Sequence, residues 1–332
     1  MPINWQPFAD LVRKHDRFLL TSHIRPDADA LGSELGMAGV LAALGKNVVI
    51  VNAHATPPNL RFLDPRKQIK QLGVDVQPGD LGDRQVIVVL DTSAWIQLGS
   101  MADVVRSSNA LKLVIDHHVS QDDLGAELFK DTTAEATGRL VSDAAEALGV
   151  ALSPEIAMVL FAAVATDTGW YRFASATGNT FRCAGRLVDA GAQPSQIYKQ
   201  LYEHDSLARL HLIGRTLARA EAELGGRLIH TSVTLEDFAA TGAVPSDTED
   251  VINMTLTVGG TEVALICVEL VGGGVKFSFR SRPRTDGTQI DCSKVAEEFG
   301  GGGHKAAAGA TLNEPCATAR AKVLDAVRRA MR

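Results

Sequence analysis

The sequence predicts an α/β protein, a parallel doubly wound domain joined by a helical connector to a smaller mixed α/β domain. Three observations lead there. Apolar runs at 18–22, 86–90 and 111–115 are short and pass straight into polar residues, as buried parallel strands do where they end in loops. Helical segments with start and stop signals alternate with these runs. Beyond Gly226 the pattern changes to alternating strands and two helices.

Taken in order, a helix is expected over 30–44 with Gly45 as its C-cap, followed by a strand at 47–52. Thr132 and Glu135 have the spacing of a capping box that starts another helix. Ser153 is an N-cap candidate with Pro154 in the first helical position, and the apolar stretch 156–164 continues a helix whose end delivers Asp167 to a loop. Over 193–224, Ile197, Leu201, Leu207, Leu210, Leu217 and Ala220 recur at roughly helical spacing in a polar background, which suits a connector. The division is therefore 1–190, 191–225 and 226–332. In the last part 228–233, 262–270 and 275–280 read as strands, and 293–299 and 317–331 as helices, the final one with an aliphatic stripe that packs on the core.

Four acidic signatures follow these apolar stretches: His23-Ile24-Arg25-Pro26-Asp27-Ala28-Asp29, Asp91-Thr92-Ser93, Asp116-His117-His118 and Asp167-Thr168-Gly169. In an open α/β sheet the strand ends share one edge, so three of them build a single polar pocket, with Asp167 joining from a helix. Four or five carboxylates crowded there repel one another, so either their pKa values rise or a cation is present. Arg25 is the one basic residue inside the motifs; a pair of divalent ions resolves the conflict. Oxygen and imidazole donors without thiolate suit Mn²⁺, then Mg²⁺ or Co²⁺. Cys183, Cys267, Cys292 and Cys316 lack C-x-x-C spacing and read as small buried hydrophobes, as expected in a reducing cytoplasm.

Composition narrows the function further. With 332 residues, 45% hydrophobic and 22% charged, the chain has the core for two ordinary domains. It shows no signal-peptide succession and no run of eighteen apolar residues, so the expectation is a cytoplasmic protein without a membrane partner. A net charge of -6 argues against long duplex nucleic acid. The local cluster Arg280, Arg282, Arg284 and Lys305 suits a short oligonucleotide or a mononucleotide. Trp170, Tyr171 and Phe173 are either base-stacking or core aromatics. A homodimer is compatible with all of this.

The four signatures, in this order, resemble the motifs of the DHH phosphoesterase superfamily. The run Gly300-Gly301-Gly302-Gly303-His304-Lys305-Ala306-Ala307-Ala308-Gly309, preceded by Arg280-Ser281-Arg282, resembles the signature of the associated DHHA1 domain. In size the chain is similar to the stand-alone nanoRNase branch, the NrnA-like proteins. That resemblance implies hydrolysis of short single-stranded RNA and of the 3′-phosphate of adenosine 3′,5′-bisphosphate. It also implies one metal on His23, Asp27 and Asp91 and another on Asp29, Asp91, His117 and Asp167, with Asp91 bridging and hydroxide as the nucleophile. His118 would face the substrate as a hydrogen-bond donor or proton source, and Asp116 would orient an imidazole. Arg280, Arg282, the backbone of Gly301, Gly302 and Gly303, and His304 would hold the far phosphate. Arg25 stands where the family usually has Asn, and Ala28 where it has Gly; Arg25 at the rim bears on substrate preference. The same ligands would serve a phosphodiesterase for cyclic di-AMP or its linear product. A non-catalytic nucleotide sensor is the alternative of another class. A RecJ-type exonuclease and a manganese pyrophosphatase fit the length and the C-terminal motif less well.

Overall fold

Strands that are apolar at every position, rather than at alternate ones, need cover on both faces. The computed structural model describes residues 3–284 and 286–332, which fall into two units, Met1–His204 and Asp205–Arg332. In the first unit the order is α1 (Gln6–Lys14), β1 (Arg17–Thr21), α2 (Ala28–Ala43), β2 (Asn47–Asn52), β3 (Ile69–Gln71), β4 (Val86–Leu90), α3 (Met101–Ser107), β5 (Leu111–Asp116), β6 (Glu127–Lys130), α4 (Thr137–Ala147), α5 (Pro154–Asp167), α6 (Gly178–Asp189) and α7 (Pro194–Tyr202). The strands form one parallel sheet in the order β3-β2-β1-β4-β5-β6. The chain moves outward from β1 to β3, then returns and moves outward from β4 to β6. The carboxyl ends of β1 and β4 thus flank the switch point, where such sheets open a crevice.

Neighbouring side chains on each strand enter different cores. Phe18, Leu20, Val86, Val88, Leu90, Leu113 and Ile115 pack with α1, α2, α4 and α5. Leu19, Ile87, Val89 and Val114 pack with Met101, Val104 and Val105 of α3.

Two expected helix starts are corrected. α2 begins at Ala28 rather than Ala30, because the Asp27 carboxylate accepts from the N–H groups of Asp29 and Ala30, at 3.0 Å each, and so serves as the N-cap. The capping box of Thr132 and Glu135 does not form. Thr133 turns its N–H and hydroxyl to Asp131, Glu135 pairs with Arg139, and the helix starts later, at Thr137. Ser153 does cap α5, accepting from Ile156 N–H, and Gly45 follows α2 with φ +74°. The short strands β3 and β6 were not expected.

α2 and α5 run antiparallel along a seam of glycines. A Cβ on Gly32 would fall 2.4 Å from the Val159 carbonyl oxygen, and one on Gly36 would fall 2.4 Å from Leu160. This close approach sets the start of α2 beside the end of α5, and so Asp27 and Asp29 beside Asp167.

The expected connector, 191–225, contains two helices that belong to different units. Ile197 of α7 is buried in the first core, whereas Leu212 and Ile213 of α8 (Leu207–Ala218) are buried in a core of the second. Its last residues form not helix but the edge strand β7 (Glu221–Glu223). The second unit continues through β8 (Leu228–Val233), α9 (Leu235–Thr241), α10 (Val251–Thr255), β9 (Val263–Glu269), β10 (Val275–Ser281), α11 (Cys292–Glu297), β11 (Gly302–His304), β12 (Ala307–Leu312) and α12 (Cys316–Ala330). Its sheet runs β11-β12-β10-β9-β8-β7 and is mixed, parallel at β8–β9 and otherwise antiparallel. α11 and α12 cover one face, and α8 and α10 the other. No helix among the described residues is long and apolar enough to cross a membrane.

The seam gives a direct stability prediction. Gly32→Val should force α2 from α5 and cost about 3 kcal/mol in urea unfolding. Gly185→Ala, in α6 with open space around it, should instead be neutral or stabilise by up to about 1 kcal/mol. Equal effects of the two changes would contradict the close-packing account.

Candidate metal centre

The two strands that flank the switch point, and β5 beside them, each carry an acid or an imidazole at their carboxyl ends. β1 leads to His23, Asp27 and Asp29, β4 to Asp91, and β5 to His117 and His118, while α5 ends on Asp167. His23 Nε2 lies 3.4 Å from Asp91 Oδ2 and 3.8 Å from Asp27 Oδ1. His117 Nε2 lies 3.5 Å from Asp91 Oδ1, 3.6 Å from Asp167 Oδ2 and 3.8 Å from Asp29 Oδ2. Three donor sets result, His23 with Asp27 and Asp91, Asp29 with His117 and Asp167, and Asp91 with His117 and His118, and in each the ligand atoms lie within 4.8 Å of one another. Asp91 turns one oxygen to His23 and the other to His117.

Backbone geometry aims these groups. Asp91 has φ +61°, a left-handed conformation that costs a non-glycine residue roughly 1–2 kcal/mol, while its N–H still reaches the Ile115 carbonyl at 3.0 Å. Asp91 Oδ1 accepts from the Thr137 hydroxyl at 2.9 Å. Both oxygens of Asp29 accept from the first amides of α4, Thr137 N–H and Gly138 N–H, at 2.8 Å each. The carboxylate thereby caps a helix more than a hundred residues away. His117 Nδ1 is 3.1 Å from the Ala134 carbonyl; with the proton on Nδ1 donated there, Nε2 keeps a lone pair for a metal.

The electrostatics are those of carboxylates packed beyond their solvation. Burial, followed by repulsion from Asp91, Asp167 and Asp27, holds Asp29 well above the usual carboxylate range. Burial and repulsion from Asp27 do the same to Asp91. Asp167 is raised as well, mainly by burial. Such a donor set fits divalent cations, which remove the repulsion and accept oxygen and imidazole together.

His118 differs from the other two imidazoles. It is 47% exposed, and its Nδ1 bonds Asp116 Oδ1 at 2.9 Å. That bond, against the cost of burial, lifts its pKa to about 9. Burial of Asp116 would raise its own pKa, yet the bonds from the His118 ring and backbone N–H and from Ser93 bring it down to about 2. Lys130 Nζ closes the network, 3.2 Å from Asp116 Oδ2 and 2.7 Å from Ser93 Oγ. Lys130 and Thr137 escape a motif-based reading because they act on the motif residues from behind, and Ser93, inside its motif, acts in the same way on Asp116. The apolar pair Leu128 and Phe129 is too short a signal to flag the Lys130 strand.

Other expected site residues lie elsewhere. Arg25, exposed and with φ +53°, donates its N–H to His54 Nδ1 at 3.2 Å. In the second unit, Arg280 at the end of β10 pairs in register with Ala307, and Ser281 N–H bonds the Ala306 carbonyl. Arg280, Arg282 and the His304–Lys305 turn therefore share one end of that sheet. The glycine run is not an open phosphate loop. Gly302, Gly303 and His304 form the edge strand β11, paired with β12. Gly303 has φ +146°, and a Cβ on Gly301 would lie 2.2 Å from the Gly309 carbonyl oxygen, so glycine serves close strand pairing here. Arg284 leaves the expected basic cluster, because its Nε donates to Glu262 Oε2 at 2.9 Å. Trp170 and Tyr171 pack edge-on or tilted against Phe161, whereas Phe173 is exposed.

Comparison with known proteins points the same way. The DHH family N-terminal domain matches residues 17–164, and the DHHA1 domain matches 229–332. The chain is 31% identical to the bifunctional oligoribonuclease and PAP phosphatase NrnA of Thermus thermophilus, over 93% of this chain and 88% of that one. It is 26% identical to the Bacillus subtilis protein of the same name, over 90% of each. An exopolyphosphatase-related protein from Bacteroides fragilis superposes with a TM-score of 0.83 at 25% identity, covering 98% of this chain and 94% of that one. Manganese-bound exonuclease RecJ shares the fold, with a TM-score of 0.56 at 17% identity over 99% and 96% of the two chains.

Two pH effects of the same sign follow for metal-free protein. Raised Asp29, Asp91 and Asp167 favour the fold when protonated, so their contribution falls as pH rises above 3.8. At a concentration a hundredfold above its Kd at pH 7.5, a divalent cation should stabilise the fold by about 2.7 kcal/mol per site, and the Tm rise it gives should be larger at pH 7.5 than at pH 5. A calorimetric shift that is absent or pH-independent would contradict this. The bond to Asp116 stabilises fully between the ordinary carboxylate value of 3.8 and the ordinary imidazole value of 6.5, and is lost as pH rises through about 9 or falls through about 2. Asp116→Asn should move the His118 midpoint, followed by histidine NMR, down towards 6.5; an unmoved midpoint would sink the assignment.

Proposed function

The chain belongs to the DHH family, with its DHHA1 domain, and so to the metal-dependent phosphoester hydrolases; on that premise we propose that it degrades short oligoribonucleotides to mononucleotides and removes the 3′-phosphate of adenosine 3′,5′-bisphosphate. The observation that carries the reading is that the donor sets meet at Asp91. In this proposal His23, Asp27 and Asp91 hold one divalent ion and Asp29, Asp91, His117 and Asp167 a second, with Mn²⁺ preferred over Mg²⁺ or Co²⁺. Bound there, the ions supply a lowered pKa for an attacking water and neutralise charge on the phosphoryl oxygens.

The chain's own groups do the rest. His118, held as imidazolium by Asp116, offers a charged donor to a phosphate or leaving oxygen. Asp116 keeps that ring oriented and is itself held by Ser93 and Lys130. Arg25 and, in the second unit, Arg280, Arg282 and His304 are the groups offered to substrate phosphates, while the backbone of 301–303 is committed to strand pairing and to the Ala296 carbonyl. All six residues proposed as metal ligands, His23, Asp27, Asp29, Asp91, His117 and Asp167, are present, which favours an enzyme over a nucleotide sensor. Names carried by the Thermus and Bacillus relatives support the substrate choice.

The test is product release by metal-stripped protein with Mn²⁺ restored, across adenosine 3′,5′-bisphosphate, RNAs of two to five nucleotides, linear di-AMP and cyclic di-AMP. Turnover of the bisphosphate and short RNAs is expected; turnover confined to the di-AMP substrates would replace this reading with dinucleotide degradation. Asp91→Ala should lower kcat/KM by more than about a thousandfold, a loss of roughly 4 kcal/mol in transition-state stabilisation. Arg282→Ala and His304→Ala should raise KM more than they lower kcat.

A further inference from the structure

Behind His23 lies a buried polar chain that the proposed chemistry does not use. Glu34 of α2, Asn52 at the end of β2, and Thr21 and Ser22 at the end of β1 are all at most 1% exposed. Glu34 Oε2 accepts from Asn52 Nδ2 at 2.9 Å. Asn52 Oδ1 accepts from Ser22 N–H at 3.1 Å and from the Thr21 hydroxyl at 3.4 Å. A main-chain N–H can only donate, so the Asn52 oxygen must face Ser22 and its amide nitrogen must face Glu34. The chain of bonds therefore has a direction. Glu34 sets the rotamer of Asn52, and Asn52 holds Ser22 where the β1–β2 ladder has ended. The next residue is His23.

This arrangement is costly if it serves the fold alone. A wholly buried carboxylate carries a desolvation penalty, and no lysine or arginine is among the groups acting on Glu34. Glu34 Oε1 and Ser22 Oγ make no hydrogen bond of ordinary geometry, although the Ser22 hydroxyl lies near enough to lower the Glu34 pKa, which burial raises to about 7. An apolar pair would pack this space without either cost, so the polar chain needs another reason, and what it fixes is the exit of β1 into His23, Asp27 and Asp29.

We propose that Glu34 and Asn52 are positioning residues for the metal centre, holding the Ser22–His23 peptide so that the His23 imidazole stays aligned with Asp27 and Asp91. The inference rests on reading His23 as a metal ligand. Partners behind a ligand typically change metal affinity by about 10–100-fold, which sets the size of effect to look for.

Mn²⁺ binding to metal-stripped full-length protein, by calorimetric titration, tests it alongside Tm. Asn52→Leu keeps the volume and removes both bonds; it should weaken Mn²⁺ binding about tenfold or more. Its loss of activity at low Mn²⁺ should be largely restored by saturating Mn²⁺. Asn52→Asp keeps the acceptor for Ser22 but faces Glu34 with a second carboxylate, and should also bind weakly. Adding Glu34→Gln to it reverses the donor and acceptor, the new amide donating to the new carboxylate, and should recover binding to within about threefold of wild type. Should Asn52→Leu fail to fold, the Asn52→Asp and double-variant pair decides alone. Wild-type Mn²⁺ affinity in a folded Asn52→Leu or Asn52→Asp, or no recovery in the double variant, overturns the proposal. His23→Ala separates the two readings. If it loses Mn²⁺ binding while the Asn52 variants keep theirs, the positioning inference alone fails; if it binds normally, the ligand assignment fails with it.

Discussion

Asp27, Asp29, Asp91 and Asp167 converge on two imidazoles, and their mutual repulsion opposes the packing that assembles them. Asp29 and Asp91 are each 2% exposed or less, so water screens little of this repulsion. The fold meets it with rigid supports rather than with neighbouring lysines or arginines. The glycine seam sets α2 against α5, the helix amides of α4 hold Asp29, and the left-handed turn at Asp91 points its oxygens both ways. Each device spends conformational freedom or strain to keep anions close. Divalent cations are the natural complement of such a cluster.

What the motifs revealed was the inventory of the site, and what they hid was its scaffolding. The apolar runs ending in His23, Asp91 and His117 were readable because a parallel strand buried on both faces has little choice of residue. Asp167 was readable because Ser153 and Pro154 announce the start of its helix. The Thr132–Glu135 spacing misled because local capping competes with capping from a distance. Asp29 supplies the cap of α4 from the other end of the first unit, and no periodicity carries that information. Lys130 and Asn52 were missed for the same reason, since their hydrogen bonds join strands whose adjacency is a property of topology.

The C-terminal glycine run teaches a related lesson. Glycine permits close approach to an anion, and it equally permits close approach to another strand. Residues 302–304 take the second course and pair with β12, which leaves His304 exposed on a sheet edge. Arg284, grouped by spacing with Arg280 and Arg282, is instead committed to Glu262. Spacing in sequence gathered these arginines together; neighbouring charge separated their roles.

Asp29 is at once a proposed metal ligand and the cap of a distant helix, and that double duty bears on how such a protein can change over time. A lineage that no longer needed hydrolysis could shed the solvent-facing Asp27 at the cost of one N-cap, about 1 kcal/mol. Losing Asp29 would leave two helix amides buried without acceptors, a lasting burden on every molecule made. Descendants that drift from catalysis would then lose their outer ligands first and carry the inner carboxylate as a relic, so that its presence alone is a poor sign of a working enzyme.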